Sequence, residues 1–173
     1  MKKYIIIFIS IIFIMSFLIG LNNNIMLYDV NDFVFNYKYF FINSVIYIIA
    51  LLISLIGLPI YVLLFLYEIF ICGISLGVLL TNYSLIGLLF FITVFCIKLL
   101  LLFLLFLNSF YSIKIAKNLF KYKIKKQQVC KENYKRYFKK IFIITIILII
   151  LSLLFCFINK MLISYFIRFL LSI

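Results

Sequence analysis

The sequence contains no histidine, no tryptophan, one proline, five glycines and only four acidic residues among its 173. Without histidine there is no imidazole base, no Ser–His–Asp triad and no imidazole ligand for zinc or haem. The four carboxylates, Asp29, Asp32, Glu68 and Glu132, are scattered. Asp29 and Asp32 are close in sequence, yet no neighbouring residue completes a metal site with them. The four cysteines, Cys72, Cys96, Cys130 and Cys156, form no CxxC pair. Three of them lie in apolar runs, where cysteine behaves as a small hydrophobe. Cys130 lies in a basic segment and is expected to be a reduced thiol if that segment is cytoplasmic. No glycine-rich loop that could cradle phosphate is present. These absences argue against an enzyme and predict no cofactor and no metal.

What the chain has is apolar side chains. They make up 69% of it, against 12% charged, and the mean hydropathy is +1.35. A soluble domain carries about a quarter charged residues, and a chain this short cannot hide so much apolar surface from water. Lipid is the expected solvent. The predicted fold class is all-α, a polytopic integral membrane protein of about five transmembrane helices forming one membrane domain over residues 1–173. The apolar runs place spans at 4–20, 41–56, 59–80, 85–112 and 141–158, with a basic loop at 113–140. The first run follows Met1-Lys2-Lys3 and lacks a good small-residue cleavage site, so it reads as an uncleaved helix. Residues 21–40, rich in Asn and Tyr, read as an interfacial anchor. Asn159-Lys160 is expected to interrupt the last run, leaving a tail too short to span.

The net charge of +13 is unevenly placed, with eleven of the 17 basic residues between Lys114 and Lys140. In a membrane chain such clustering marks the cytoplasmic side, which displaces nucleic acid as the expected partner of the positive charge. Five spans then satisfy the charge rule at every loop, with the amino terminus inside, Tyr83 outside and the basic loop inside. The heavy use of Ile, Phe, Tyr, Asn and Lys, with Ala50 and Ala116 the only alanines, suits an AT-rich genome, so the expected location is a bacterial cytoplasmic membrane. Membrane lipids are the first expected partners, and the basic segment could lie on anionic headgroups.

Gly57-Leu58-Pro59 followed by Gly73, Gly77 and Gly87 resembles the core of the stage II sporulation protein M family. The resemblance covers roughly residues 41–120. Departures lie at Ile97-Lys98-Leu99, where family members tend to carry Pro, a polar residue and Asn, and at Glu68-Ile69, where many carry Lys-Gly. The resemblance implies a non-enzymatic membrane scaffold that recruits membrane-anchored cell-wall hydrolases in engulfment of the forespore, or that docks its own copies.

Two features carry chemistry of their own. Gly73-Ile74-Ser75-Leu76-Gly77 is a GxxxG that lets a second helix approach closely. It could form a dimer seam, though packing against another helix of the same chain is the commoner use. Glu68 and Lys98 each interrupt an apolar run, where an ionisable group costs at least a few kcal/mol. Each is 15 residues from Tyr83 (83 − 68 and 98 − 83), so an antiparallel hairpin would set both some 22 Å from the turn at about 1.5 Å per residue. The expectation is an intramembrane ion pair that locks two helices. The alternative is a polar pathway through a small permease or channel subunit.

Overall fold

Long apolar runs without internal proline have one way to satisfy their backbone in a low-dielectric medium, which is to bond each N–H to the carbonyl four residues back. The computed structural model describes residues 2–22, 37–125 and 131–171, and each of its elements is an α-helix. They are α1 (Lys2–Asn22), α2 (Tyr37–Leu55), α3 (Ile60–Lys125) and α4 (Lys131–Leu171). Two helical stretches, Ile60–Phe120 and Glu132–Ile158, are long and apolar enough to cross a membrane, and Ile6–Asn22 and Phe41–Leu55 are shorter apolar helices. The Asn-rich segment before Tyr37, with Asp29 and Asp32, lies outside the described residues, as does Cys130.

The helices differ from the predicted boundaries in three places. The third and fourth predicted spans are limbs of one element, α3, and the connector expected at 81–84 is reduced to Ser84, whose φ of 49° and ψ of −129° leave the helical region. Positive φ costs a residue with a Cβ on the order of 1 kcal/mol. The second limb continues unbroken through Lys98. The basic segment predicted as a loop is helical on both sides, because α3 runs to Lys125 and α4 resumes at Lys131; lysine is a good helix former. Finally, α4 continues through Asn159-Lys160 to Leu171. Neither residue breaks a helix, and without Gly or Pro nothing there stops propagation.

The chain divides into two compact units. The first comprises α1, residues 66–100 of α3 and the end of α4. Within it the limbs of α3 on either side of Ser84 run antiparallel. Gly87 sits so close to Leu79 and Tyr83 that an added Cβ would collide with the Leu79 carbonyl oxygen. A larger residue there would prise the turn open.

The second unit comprises α2, residues 60–65 and 101–125 of α3, and α4 as far as Cys156. Its core is formed by Tyr47, Ala50, Tyr61, Leu105, Ile141 and Leu148 among others. The α2–α3 corner is Gly57-Leu58-Pro59. Gly57 adopts a φ of +92°, open to glycine but strained for other residues. Its amide donates to the Ser54 carbonyl at 3.1 Å, closing the end of α2. Pro59 immediately precedes α3, where its lack of an N–H costs nothing, and its carbonyl accepts from Val62 at 3.0 Å. A Cβ on Gly57 would also press on Leu119, 2.8 Å away. Across the same unit Ser109 Oγ donates to the Tyr61 carbonyl at 2.8 Å, and the Phe65 and Phe106 rings lie 5.7 Å apart.

Outside these contacts the helices present large apolar side chains to their surroundings, among them Ile6, Phe8, Leu52, Leu89, Phe103 and Ile150. Large apolar side chains exposed in such number mark helix faces that meet lipid or protein.

Candidate functional site

Within the first unit the two charges of α3 meet. Lys98 Nζ lies 3.0 Å from Glu68 Oε2, and the two side chains are 17% and 18% exposed. Ser84 makes this possible: Glu68 lies 16 residues before it and Lys98 14 after (84 − 68 and 98 − 84), so the reversal brings both to the same level. Cys72, one turn on from Glu68 on the same limb, is buried. An ammonium carries three donors and a carboxylate only acceptors, so in a water-poor setting each ion is what makes the other tolerable.

The GxxxG lies a turn further on, in the same unit, and its face is filled by α1. A Cβ on Gly73 would collide with Ser16 Oγ and stand 2.8 Å from the Phe13 carbonyl oxygen. One on Gly77 would stand 2.6 Å from the Phe17 carbonyl oxygen and 2.8 Å from Gly20 Cα. Gly20 reciprocates, its own missing Cβ falling 2.5 Å from the Ile74 carbonyl oxygen. Ser16 and Gly20 therefore form the matching small-residue pair on α1, and Ser16 Oγ is kept inside its own helix by donating to the Phe13 carbonyl at 2.8 Å.

Sequence reasoning passed over a polar cluster in the second unit. The Tyr61 hydroxyl lies 3.1 Å from the Tyr47 carbonyl oxygen and 2.7 Å from Thr145 Oγ1. Asn108 Nδ2 donates to Thr145 Oγ1 at 3.2 Å. Thr145 Oγ1 also lies 2.8 Å from the Ile141 carbonyl oxygen. Two proton arrangements serve this set. Tyr61 donates to Tyr47 and accepts from Thr145, or Tyr61 donates to Thr145 and Thr145 donates to Ile141. Tyr61, Asn108 and Thr145 are all essentially inaccessible, and Asn108 Oδ1 accepts no hydrogen bond from a described residue. The available signal was the run of polar residues Asn108, Ser109 and Ser112, which returns to one helical face inside an otherwise apolar stretch. Tyr61→Phe is expected to lower stability by about 1 kcal/mol, since it removes one buried hydrogen bond and little volume. Thermal unfolding in detergent measures it, and an unchanged midpoint would mean that the hydroxyl contributes nothing.

Among the described residues these features define an all-helical protein with apolar outer faces, a paired set of charges and a buried polar cluster. Of the sequence-derived residues, Glu68 and Lys98 are brought together, Gly73 and Gly77 share the α1 seam, Gly87 serves the Ser84 turn, and Gly57 with Pro59 forms the corner in the other unit. Among the described residues no group of three or more Cys, Asp or Glu side chains could hold a metal ion. No protein-family model matches the chain, and neither a curated protein nor a solved structure is similar to it.

Proposed function

We propose that the protein is a non-enzymatic, five-span membrane scaffold, with α1, α2, the two limbs of α3 and α4 each crossing the bilayer. The observation that carries this reading is how the chain's polar and small-residue features are used. The Glu68 carboxylate is paired with Lys98 within its own hairpin, and the GxxxG is covered by α1. What remains outward is apolar side chains suited to lipid or to the spans of other proteins. The role matches the one implied by the resemblance to the stage II sporulation protein M family, with membrane-anchored cell-wall hydrolases, or further copies of the chain, docked on those faces. The amino terminus and the basic segment lie in the cytoplasm of a bacterial cell.

The competing reading, a small permease or channel subunit, draws on the 17–18% exposure left to the paired charges. Two measurements separate the readings. Reporter fusions at Tyr83 and Gln128 are expected on opposite sides of the membrane, and finding both on one side overturns the five-span arrangement. Cross-linking in cells is expected to capture wall hydrolases, whereas solute flux in proteoliposomes that disappears in Glu68→Gln would replace the scaffold with a transporter.

A further inference from the structure

Beyond the general attraction of a basic segment for a charged membrane surface, the second unit holds a particular arrangement of cations. α3 and α4 each carry a Tyr-x-x-Lys, Tyr111 with Lys114 and Tyr137 with Lys140. The two tyrosine rings stack with centroids 6.1 Å apart. Lys114 Nζ reaches across to within 5.3 Å of the Tyr137 centroid and lies 4.2 Å over Phe110. Lys140 Nζ reaches back to within 5.2 Å of the Tyr111 centroid. Each lysine is thus laid against an aromatic ring of the other helix. Both ammonium groups come within about 6 Å of the Tyr111 ring. No carboxylate among the described residues pairs with either. Two ammonium groups held against the same ring, neither with a carboxylate partner among the described residues, make a local site of positive potential. An anion beside that ring would be attracted by both, and the rings have already ordered the side chains that would bind it.

The surroundings select the kind of anion. The pair stands where the apolar run of α3 gives way to Lys114 and Lys117 and where that of α4 begins at Ile141. Phe110, over which Lys114 lies, is exposed, and so is Phe142 further along α4. A phosphate carried on acyl chains satisfies both halves, with its charge against the lysines and its chains against the exposed rings. A free phosphate satisfies only one. We infer that the Tyr111–Lys114 and Tyr137–Lys140 brace is a binding site for the phosphodiester headgroup of an anionic phospholipid. The inference rests on the membrane placement and is independent of the scaffold role.

The test titrates the purified full chain in detergent with phosphatidylglycerol, with phosphatidylcholine of the same acyl chains and with inorganic phosphate, reading occupancy by native mass spectrometry. Phosphatidylglycerol is expected to bind in preference to phosphatidylcholine, with roughly fivefold lost for each lysine removed. Lys114→Gln/Lys140→Gln should therefore lose most of the preference, while Lys135→Gln/Lys139→Gln, which keeps the brace, retains it. Lys140 is exposed, so Lys140→Gln alone is a variant that removes no buried side chain, and it should show the fivefold loss even if the double variant fails to fold. Three results overturn the site: equal binding of the two lipids, full competition by inorganic phosphate, or equal losses in the brace and control variants.

Discussion

Glu68→Gln and Lys98→Gln are each expected to reduce the yield of folded protein sharply, and the combined Glu68→Gln/Lys98→Gln to recover much of it. Either single change leaves one full charge without its partner at a site where both side chains are more than four-fifths covered. Stranding one member of such a pair costs on the order of 3 kcal/mol, comparable to the cost of placing a single charge in the middle of a span. The double change leaves two neutral amides that can bond to each other. The exchanged pair, Glu68→Lys/Lys98→Glu, keeps the attraction and is expected to outperform both singles. Detergent melting curves for the parent chain, the two single variants and the double Gln variant form a closed cycle whose coupling energy is the quantity of interest. Single variants with unchanged yield and melting would show that the contact contributes nothing to the fold. The cycle also bears on the transport alternative: a lock gives variants whose losses track folding, whereas a pathway would leave a well-folded Glu68→Gln without flux.

How much of this was legible beforehand depends on whether the responsible interaction is local. Apolar run length located α1, α2, both limbs of α3 and the start of the apolar part of α4, since run length decides where a backbone must bond to itself. The charges at 68 and 98 could be matched by counting from Tyr83 because an antiparallel hairpin turns sequence distance into depth. The turn falls inside the predicted connector, Thr81-Asn82-Tyr83-Ser84, but is narrower than it: Ser84 alone leaves the helical region, with Gly87 making room for the returning limb. At Asn159-Lys160 polarity suggests a break where the helical geometry has none. The Tyr61–Thr145–Asn108 cluster joins residues 84 and 37 positions apart, and no local pattern reveals such a pairing. The partner of the GxxxG was equally hidden: Ser16-x-x-x-Gly20 lies in a run that reads only as hydrophobic.

That partner leads to the second large effect. Gly77→Ala is expected to destabilise the protein by about 1–3 kcal/mol, the range for overpacking, and to lie toward its upper end. The atoms in the way are the Phe17 carbonyl oxygen and the Gly20 backbone, 2.6 to 2.8 Å from the new methyl, and backbone cannot rotate aside as a side chain can. Gly73→Ala meets Ser16 Oγ first, so Ser16→Gly should restore part of its loss, while the remaining 2.8 Å approach to the Phe13 carbonyl oxygen keeps the rescue incomplete. Larger residues should drive α1 from the seam altogether, so Gly77→Leu and, from the other side, Ser16→Leu should be similarly damaging. This equivalence separates packing within the chain from a seam between two copies. In a dimer seam built on Gly73 and Gly77, Gly77→Leu would abolish self-association while Ser16→Leu, on another helix, would be tolerated. Measuring melting and oligomeric state together for the two leucine variants decides the matter. A silent Ser16→Leu beside a Gly77→Leu that dissociates a dimer would move the glycine face from the fold to an interface.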